Sequence, residues 1–472
     1  MIAESGPNFL LVVAGFVAAT FFTAFFDAAV FCFFGASSVA EMRTTELSLF
    51  AGARFVAVFF AFAISFSQLK KFAWANCQVL VYATPIKSSS HATLNYMNIG
   101  LWGLIISGAL SGFIAYKVAY AVQRYRGFIT TDTPEPADDL PTISVCIPAR
   151  NEMHALAQCL ECVLASDYEK LEILVLDDSS SDDTPHIIAS FAHAGVRFIP
   201  GTPLPPGWLG KNHALATLAD AASGDYLLFL DVDALISVRT ISRLVAKLRS
   251  TNLEMLSLMP RRDDMHHTSA LFGTARHMWE LVWATATQPP SASTTWLIRR
   301  TTLNELETRL SDYGSSVRPD HHIASALAKR ASYRYYIGTR AIGVRYEKRL
   351  HSQIETAERL YFAMLGMSWL RLAIIIVSGI LLLLPFFMLG TAWWLLALIA
   401  LIIQYSTFAL FTITTSPIGP GATVRMIVWP YVLIQDIVLL LFSAARYTSH
   451  HVVWKGRNVT AQQRATAVVL DE

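Results

Sequence analysis

Acidic side chains occur in close pairs directly after short apolar runs of this sequence. Asp177 and Asp178 end the run LEILVLDD, and Asp231 and Asp233 follow YLLFL as Asp-Val-Asp. Alternation along an extended chain places Asp231 and Asp233 on the same side. Buried like charges repel unless a cation or a donor neutralises them, and Mg²⁺ binds one or two carboxylates together with phosphate oxygens. The short Asp-x-Asp pattern therefore predicts a divalent cation beside a phosphate.

Basic residues accompany these acids. The segment PARNE (148–152) ends the apolar run TISVCIPA, and Lys211 follows Trp-Leu-Gly at the predicted start of a helix. A helix N-terminus attracts anions, so Lys211 is a candidate phosphate contact. A lysine in a solvated loop is the alternative, and helix capping is the alternative for the acids. The P-loop pattern G-x-x-x-x-G-K-[ST] is absent from the sequence.

The elements that must hold these residues alternate along the chain. Between 142 and 259, short apolar runs rich in branched residues are separated by helical patterns. This alternation predicts parallel strands joined by crossover helices, an α/β doubly wound sheet. Except for Lys211, the chemistry-bearing residues named above fall at the carboxyl ends of predicted strands, where open α/β sheets bind ligands. We therefore expect one site at this edge of the sheet.

Composition adds apolar ends to this domain. The chain has 472 residues, 37 basic and 35 acidic side chains, 54% hydrophobic residues and a mean hydropathy of +0.43. Only ten charged residues lie in 1–120 and nine in 366–472. This composition excludes a disordered chain, a collagen-like fibre and a small disulfide scaffold. The net charge of +2 gives no nucleic-acid footprint.

Six apolar segments approach the length of about 20 residues that a helix needs to cross a bilayer. They are 9–34, 48–68, 97–120, 372–389, 392–412 and 426–444. Two of them carry an acid, Asp27 and Asp436, for which a packing contact with a neighbouring helix is favoured over a polar contact near a lipid. We predict a multi-pass membrane protein with a cytoplasmic central domain, because Lys117, Arg124 and Arg126 precede that domain. The number of crossings and the side of each terminus stay open.

These patterns divide the chain into six regions. The predicted regions are an N-terminal membrane region of about three helices (1–126), a linker (127–141), the α/β domain (142–349), an amphipathic interfacial helix (350–369), about three C-terminal membrane helices (370–446) and a tail (447–472). The amphipathic segment has Leu350, Ile354, Ala357, Tyr361 and Met364 on one face. That spacing fits a helix lying in the membrane surface or one packed on the soluble domain.

Four motifs in order carry a family resemblance. PARNE (148–152), DDSSSDDT (177–184), PPGWLGK (205–211) and DVD (231–233) resemble a membrane-bound family 2 glycosyltransferase with a GT-A domain, over about 140–365. The Trp-x-Gly-Lys form is similar to the branch of ceramide, carotenoid and hopanoid-associated glycosyltransferases. The stretch beginning VRPDHH resembles that branch's acidic motif, and VRYEKRLHSQIETAERLYF resembles its basic segment. The fold this implies is a Rossmann-like, mostly parallel GT-A domain between N- and C-terminal transmembrane helices.

The resemblance also implies roles for individual residues. It implies that nucleotide and donor contacts come from Pro148, Ala149, Arg150, Glu152, Asp178, Lys211 and Asp231. It implies that Asp231 and Asp233 hold Mg²⁺ or Mn²⁺ on the diphosphate, and that Asp320 is the general base. Arg345 and Arg359 are possible contacts of the leaving diphosphate or of lipid headgroups. The Gln-x-x-Arg-Trp motif of processive synthases is absent, and Glu355-Thr-Ala-Glu-Arg359-Leu stands nearest to it.

We therefore predict an inverting, metal-dependent transfer of a single sugar from a nucleotide-sugar, with UDP as the favoured nucleotide, to a membrane lipid hydroxyl. A polyprenyl-phosphate glycosyltransferase and a processive polysaccharide synthase are the alternative enzymes. A transporter or scaffold carrying an inactive domain is the non-enzymatic alternative. The segment from His277 to Trp283 is a candidate gate for the acceptor or, equally, a core helix.

Overall fold

The computed structural model describes residues 90–126, 140–262, 267–305 and 309–459, with the backbone alone for 90–98. The first two predicted apolar segments, Asp27 and nearly all of the predicted linker lie outside this described part. A long helix, α1 (Ser90–Tyr125), precedes the α/β domain.

The domain is built on a seven-stranded sheet. Its strands in chain order are β1 (Ile143–Ala149), β2 (Leu171–Asp177), β3 (Val196–Pro200), β4 (Tyr226–Leu230), β6 (Met255–Met259), β7 (Thr295–Arg299) and β8 (Tyr333–Ile337). They lie side by side in the order β3-β2-β1-β4-β7-β6-β8. β7 runs antiparallel to both of its neighbours, and every other pair in the sheet is parallel. The predicted α/β, mostly parallel fold is therefore confirmed.

Helices follow the strands as the alternating pattern predicted. They are α2 (Leu156–Leu164), α3 (Thr184–Ser190), α4 (Gly210–Ala221), α5 (Thr240–Ser250), α6 (Thr268–Leu271), α7 (Arg276–Trp283), α8 (Arg300–Leu303) and α9 (Pro319–Lys329), with short 3₁₀ turns at Ala192–Ala194 and Leu310–Tyr313. A second small sheet pairs β5 (Ala234–Leu235) with β9 (Arg345–Tyr346) in antiparallel register. This pairing brings the segment after Asp233 beside the segment that follows β8.

Alternation along β1 divides the core between the two faces of the sheet. Val145 and Ile147 point into one apolar cluster with helices α2 and α5. Cys146 points into the other cluster, in which Phe229 stacks on Trp296 with ring centroids 4.0 Å apart. Both faces of the sheet are therefore covered, as a parallel sheet requires.

The C-terminal third is mainly helical. It comprises α10 (Leu350–Met364), α11 (Trp369–Met388), α12 (Trp394–Thr415), α13 (Pro420–Ile427) and α14 (Trp429–Thr448), followed by the short strands β10 (Val453–Trp454) and β11 (Arg457–Asn458). Within the described residues, four helical stretches are long and apolar enough to cross a membrane: Ile99–Tyr125, α11, α12 and α14. They coincide with the last four of the six predicted apolar segments.

Asp436 joins α14 to the domain. Its carboxylate accepts hydrogen bonds from the backbone N–H of Ala275 (3.1 Å), the indole N–H of Trp279 (2.7 Å) and the hydroxyl of Tyr361 (3.0 Å). The favoured reading of this acid, a packing contact between helices, agrees with these partners. The helix His277–Trp283 buries Met278 in the core, which agrees with its reading as a core helix.

Helix α10 packs closely on α14. Ala357 and Tyr361, from its predicted apolar face, are buried in a cluster with Leu439, Leu440 and other side chains of α14. Ser443 links the two helices further, because its hydroxyl donates to the carbonyl oxygen of Glu358 at 2.6 Å. The apolar face of α10 is thus covered by protein over these positions, and a location at the membrane surface stays a prediction.

Candidate donor and catalytic site

One cavity opens at the carboxyl ends of β1, β2 and β4. The predicted residues that line it are Pro148, Ala149, Arg150, Glu152, Asp178, Lys211, Asp231, Asp233 and Arg359. These residues come from five separate stretches of the sequence, and the sheet topology brings them together as expected. Arg345 and Asp320 are not among the residues lining this cavity within the described part of the chain.

The end of β1 is tied to the end of β2. Ala149 stands opposite Asp177 in the parallel register. One guanidinium nitrogen of Arg150 donates to the carbonyl oxygens of Asp178 and Ser179, the latter at 2.9 Å. Asn151 has a positive φ of 50°, and its side-chain oxygen accepts from the backbone N–H of Ser181 at 2.8 Å. The PARNE turn is therefore held by the Asp-Asp-Ser loop.

Lysines neutralise both acids of the Asp-x-Asp pair. The Lys211 ammonium lies 2.5 Å from Oδ1 of Asp231, and the Lys348 ammonium lies 3.3 Å from Oδ2 of Asp233. Burial opposes a charged Lys348, but nearby Tyr346, Asp233 and Asp231 raise its pKa above the usual range. Lys348 is therefore a cation of the site. The sequence pattern did not single out Lys348, and Arg345 was the candidate from the same basic segment.

Alternation along the strand places Arg345 outside the cavity, and its contact with lipid headgroups stays a prediction. Arg345 pairs across β9 with Leu235 and is exposed, whereas Tyr346 and Lys348 line the cavity. Residues two apart along an extended segment point to the same side, so Arg345 points away from the face that Tyr346 and Lys348 share.

The carboxylates of Asp231 and Asp233 each have an oxygen that can bind a divalent cation. Among the described residues no group of three His, Cys, Asp or Glu side chains is arranged as a complete metal site. Lys211 contacts one oxygen of Asp231 and Lys348 one oxygen of Asp233, which leaves the second oxygen of each carboxylate for another ligand. Mg²⁺ characteristically uses one or two carboxylates and completes its shell with water and phosphate oxygens. Asp231 and Asp233 therefore fit an ion held jointly with a diphosphate.

Asp320 lies deeper in the domain, in the first turn of α9. Its side chain is 1% exposed, and Oδ2 accepts a 2.6 Å hydrogen bond from the hydroxyl of Ser291. Oδ1 is buried and has no hydrogen-bond partner among the described residues. Arg318 steadies this arrangement by donating to the Ser291 hydroxyl at 2.9 Å. The N-cap of α9 is Arg318 and has no side-chain capping hydrogen bond, so the Asp320 carboxylate does not cap this helix.

A buried ion-pair group stands beside this acid. Glu280 lies 3.7 Å from a guanidinium nitrogen of Arg318 and 3.6 Å from that of Arg276, which also lines the cavity. Burial opposes ionisation, but the charges of Arg318 and Arg276 hold the pKa of Glu280 well below its usual range. Arg276, Glu280 and Arg318 therefore form an ionic network that links the cavity lining to the Ser291–Asp320 pair.

Helix α4 connects Lys211 to the loop before Asp320. The side-chain amide of Asn212 donates to the carbonyl oxygens of Tyr313 (2.9 Å), Gly314 (2.9 Å) and Ser316 (2.6 Å). The backbone N–H of Leu209 also donates to Gly314, at 2.9 Å. The N-terminal turn of α4 thus positions both Lys211 and the loop that precedes Asp320.

Residues after α14 complete the cavity, a feature that sequence reasoning missed. Trp454 and Lys455 line it, and the guanidinium of Arg359 lies 4.5 Å from the centroid of the Trp454 ring. Arg359 is partly buried, and its Nε has no hydrogen-bond partner among the described residues. Burial lowers its pKa, although a guanidinium remains charged. Arg359 is thus a cation available to an anionic ligand.

Comparison with known proteins shows what part of the α/β domain is similar to. Residues 144–282 match the family described as Glycosyl transferase family 2. This part of the chain is therefore similar to family 2 glycosyltransferases. The matched range contains the PARNE, Asp-Asp, Gly-Lys and Asp-x-Asp segments that the cavity gathers.

Curated relatives share part of their length with this chain. The chain is 31% identical over 111 residues to a GalNAc(5)-diNAcBac-PP-undecaprenol β-1,3-glucosyltransferase of Campylobacter jejuni, covering 23% of this chain and 35% of that protein. It is 30% identical over 124 residues to a 4,4'-diaponeurosporenoate glycosyltransferase of Staphylococcus haemolyticus, covering 26% and 31%. The chain thus spans about a third of the length of these relatives.

Among solved structures, the chain is similar to the mannosyltransferase PcManGT of Pyrobaculum calidifontis in complex with GDP-Man and Mn²⁺. The alignment covers 79% of this chain and 91% of that chain, with 17% sequence identity and a TM-score of 0.41.

Proposed function

We propose that this protein transfers a single sugar from a nucleotide-sugar to a membrane lipid, with inversion at the anomeric carbon. The observation that carries the proposal is the single cavity that gathers the end of β1, Asp178, Lys211 and the Asp231–Asp233 pair. Cations and carboxylates alternate around this cavity, which suits a ligand that combines a diphosphate with hydroxyl and amide groups. The donor is a nucleotide-sugar, and a UDP-sugar is the favoured one.

A divalent cation fits the donor end of the cavity. Asp231 and Asp233 would hold Mg²⁺ or Mn²⁺ there, and the ion would supply Lewis-acid stabilisation of the charge that develops on the leaving diphosphate. Lys211 and Arg359 offer further positive charge along the same cavity. Preorganised cations of this kind stabilise charge that develops in the transition state.

We assign to Asp320 the role of the general base that removes the proton of the acceptor hydroxyl. An inverting transfer to a hydroxyl needs a base within hydrogen-bond reach of that proton, directly or through one water. Oδ1 of Asp320 supports this role because it is an acceptor with no protein partner among the described residues. The hydrogen bond from Ser291 to Oδ2 fixes the carboxylate and leaves Oδ1 as its unpaired oxygen, although this buried atom lies outside the lining of the donor cavity.

A membrane lipid is the proposed acceptor. Four stretches that could cross a membrane accompany the domain, and α14 is bonded to it through Asp436. Two relatives are named for an undecaprenol-linked and a carotenoid-acid substrate, which are both lipid-like acceptors. We further propose that the domain faces the cytoplasm. The absence of Gln-x-x-Arg-Trp favours one sugar per acceptor over a polymer.

The test is made with the full chain in lipid nanodiscs. Release of nucleoside diphosphate from UDP-, GDP- and dTDP-sugars identifies the donor, and mass spectrometry of lipids from cells with and without the protein identifies the product. We expect a lipid glycoside. Asp231→Asn should abolish release, whereas Asp220→Asn, an exposed acid on α4, should not. No release from any donor would reject the enzyme, a lipid phosphosugar would indicate the polyprenyl-phosphate alternative, and a polymer would indicate a synthase.

A further inference from the structure

The chain returns to the glycosyltransferase domain after its last apolar helix. Residues 452–459, which we name the C-terminal hairpin, pair Val453 with Asn458 and Trp454 with Arg457. The two residues of the turn, Lys455 and Gly456, have φ values of 47° and 79°. Positive φ at both central residues is characteristic of the tight turn that favours hairpins. The turn therefore presents the Lys455 and Arg457 side chains at a defined position.

The base of the hairpin is anchored in apolar protein. Val452 and Val459 are 1% and 3% exposed, and they share a cluster with Leu209 and Tyr361. The backbone N–H of Val459 donates to the carbonyl oxygen of Val452 at 2.8 Å. Both strands of the hairpin are thus held at the same place, beside the N-terminus of α4 and against α10.

The tip of the hairpin contacts the residues assigned to the donor nucleotide. One guanidinium nitrogen of Arg457 lies 2.8 and 2.6 Å from the two carboxylate oxygens of Asp178, whose side chain is only 7% exposed. The Lys455 ammonium lies 3.0 Å from Oε1 of Glu152. In return, Nε of Arg150 donates to the carbonyl oxygen of Lys455 at 2.9 Å.

A glycine makes room for this contact. A Cβ built on Gly210 would meet both Oδ2 of Asp178, at 2.6 Å, and a guanidinium nitrogen of Arg457. The Arg457–Asp178 pair therefore lies directly on the backbone at the start of α4, one residue before Lys211. Only a residue without a side chain leaves this space open.

We propose that the C-terminal hairpin is a fixed wall of the donor site, in which Arg457 and Lys455 are positioning residues for Asp178 and Glu152. This inference depends on the proposed function, because it assigns those two acids to the nucleoside of the donor. A carboxylate offers about four lone-pair positions. Arg457 and Lys455 occupy only some of them, so both acids can still accept hydrogen bonds from a nucleoside.

The anchoring argues for a wall rather than a removable plug. To leave, the hairpin would expose Val452 and Val459, remove Trp454 from Arg359 and leave Asp178 nearly buried without its cation. A buried charge that loses its partner is strongly unfavourable. With the hairpin in place, three of the predicted nucleotide contacts, Arg150, Glu152 and Asp178, are held by it directly.

The test measures nucleotide affinity in the full chain. The ligand is whichever of UDP, GDP and dTDP the wild-type protein binds most tightly with Mg²⁺, followed by isothermal titration calorimetry. We expect Arg457→Gln to weaken binding by about ten- to hundredfold, which is the change in an equilibrium constant expected when a hydrogen bond to a charged group is lost. Arg457→Lys should recover part of the loss, because an ammonium can contact the Asp178 carboxylate but cannot also reproduce the second guanidinium nitrogen, which donates to the Asp178 carbonyl oxygen at 3.4 Å. Donor KM should rise more than kcat falls.

Two further variants keep the inference testable if Arg457→Gln does not fold. Lys455→Gln, at the hairpin tip, should also weaken binding at least severalfold, whereas Lys329→Gln, which removes an exposed cation from α9, should not. Gly210→Ala should weaken binding without removing any charge. Its matched control is Gly112→Ala, where a Cβ would meet nothing within 4 Å.

The outcomes separate the two proposals. A wild-type protein that binds none of the nucleoside diphosphates contradicts the proposed function itself. Wild-type binding with unchanged affinity in folded hairpin variants rejects the hairpin as part of the site. Tighter binding or faster turnover in those variants rejects a wall in favour of a plug that blocks the donor.

Discussion

Replacing Asp320 by Asn tests the catalytic assignment most directly. The side chain is 1% exposed, and its Oδ2 accepts the hydroxyl of Ser291 at 2.6 Å. The asparagine carbonyl can accept the same hydrogen bond, so the local geometry is retained. The amide NH₂ would then replace Oδ1 at a buried position with no partner among the described residues. A buried group without a partner costs about 1–3 kcal/mol of folding free energy.

The loss of catalytic rate should correspond to a larger free energy than the loss of folding stability, and it should appear in kcat rather than in the unfolding temperature. Loss of a general base lowers the rate by ~10²–10⁴-fold, which corresponds to about 3–5 kcal/mol in the activation barrier. A change in folding free energy leaves the turnover of the remaining folded molecules unaltered. The substitution should therefore reduce kcat strongly while nucleotide affinity is preserved, because Asp320 does not line the cavity that holds the predicted nucleotide contacts.

The assay is single-turnover transfer to the identified lipid acceptor, with nucleotide affinity and the unfolding temperature measured on the same preparation. Ser291→Ala is the matched control, since it removes the hydrogen bond to Oδ2 and retains the carboxylate. It should lower the rate much less than Asp320→Asn. A folded Asp320→Asn protein whose kcat lies within about threefold of wild type would refute the base. A phosphate acceptor, which is already ionised, would give that result.

Three further predictions follow from the site. Asp233→Ala should abolish Mg²⁺- or Mn²⁺-dependent donor binding, and activity that survives EDTA unchanged would contradict the metal assignment. Ser316→Cys should react with an impermeant thiol reagent only after lysis if the domain is cytoplasmic; labelling of intact cells would place it outside. Burial raises the pKa of Glu152, and Asp233 adds to this, whereas Lys455 and Lys348 lower it. Protonation of Glu152 should weaken nucleotide binding as pH falls, and Lys455→Gln should move that loss to higher pH, which calorimetry across a pH series would show.

The strand ends could be predicted from the sequence because their signals are local. Each apolar run of β1, β2 and β4 is short, buried on both faces and followed at once by polar residues. Parallel strands bring their carboxyl ends to one edge, so Arg150, Asp178 and Asp231 were expected together before any packing was known. The antiparallel insertion of β7 between β4 and β6 does not disturb this edge.

The environment of α10 could not be predicted in the same way. An apolar stripe at helical spacing records only that one side avoids water, and lipid and protein are equally suitable partners for it. In the structure the stripe residues Ala357 and Tyr361 pack on α14. Whether this stripe contacts lipid or protein depends on which helix lies opposite α10. In this structure that helix is α14, which begins 65 residues after Met364.

The contact between the C-terminal hairpin and the domain was even harder to predict from the sequence. Arg457 and Asp178 are 279 residues apart, and the sequence marks the hairpin only by a Lys-Gly pair in a polar tail. Nothing in that tail indicates that it contacts the domain, because an isolated turn is equally suited to solvent. The contact exists because α14 is bonded to the domain through Asp436 and delivers the tail to the start of α4. Completion of the cavity therefore depends on where the apolar helices lie. Lys211 and Lys348 neutralise Asp231 and Asp233 from within the domain, whereas the position of α14 places Lys455 and Arg457 beside Glu152 and Asp178.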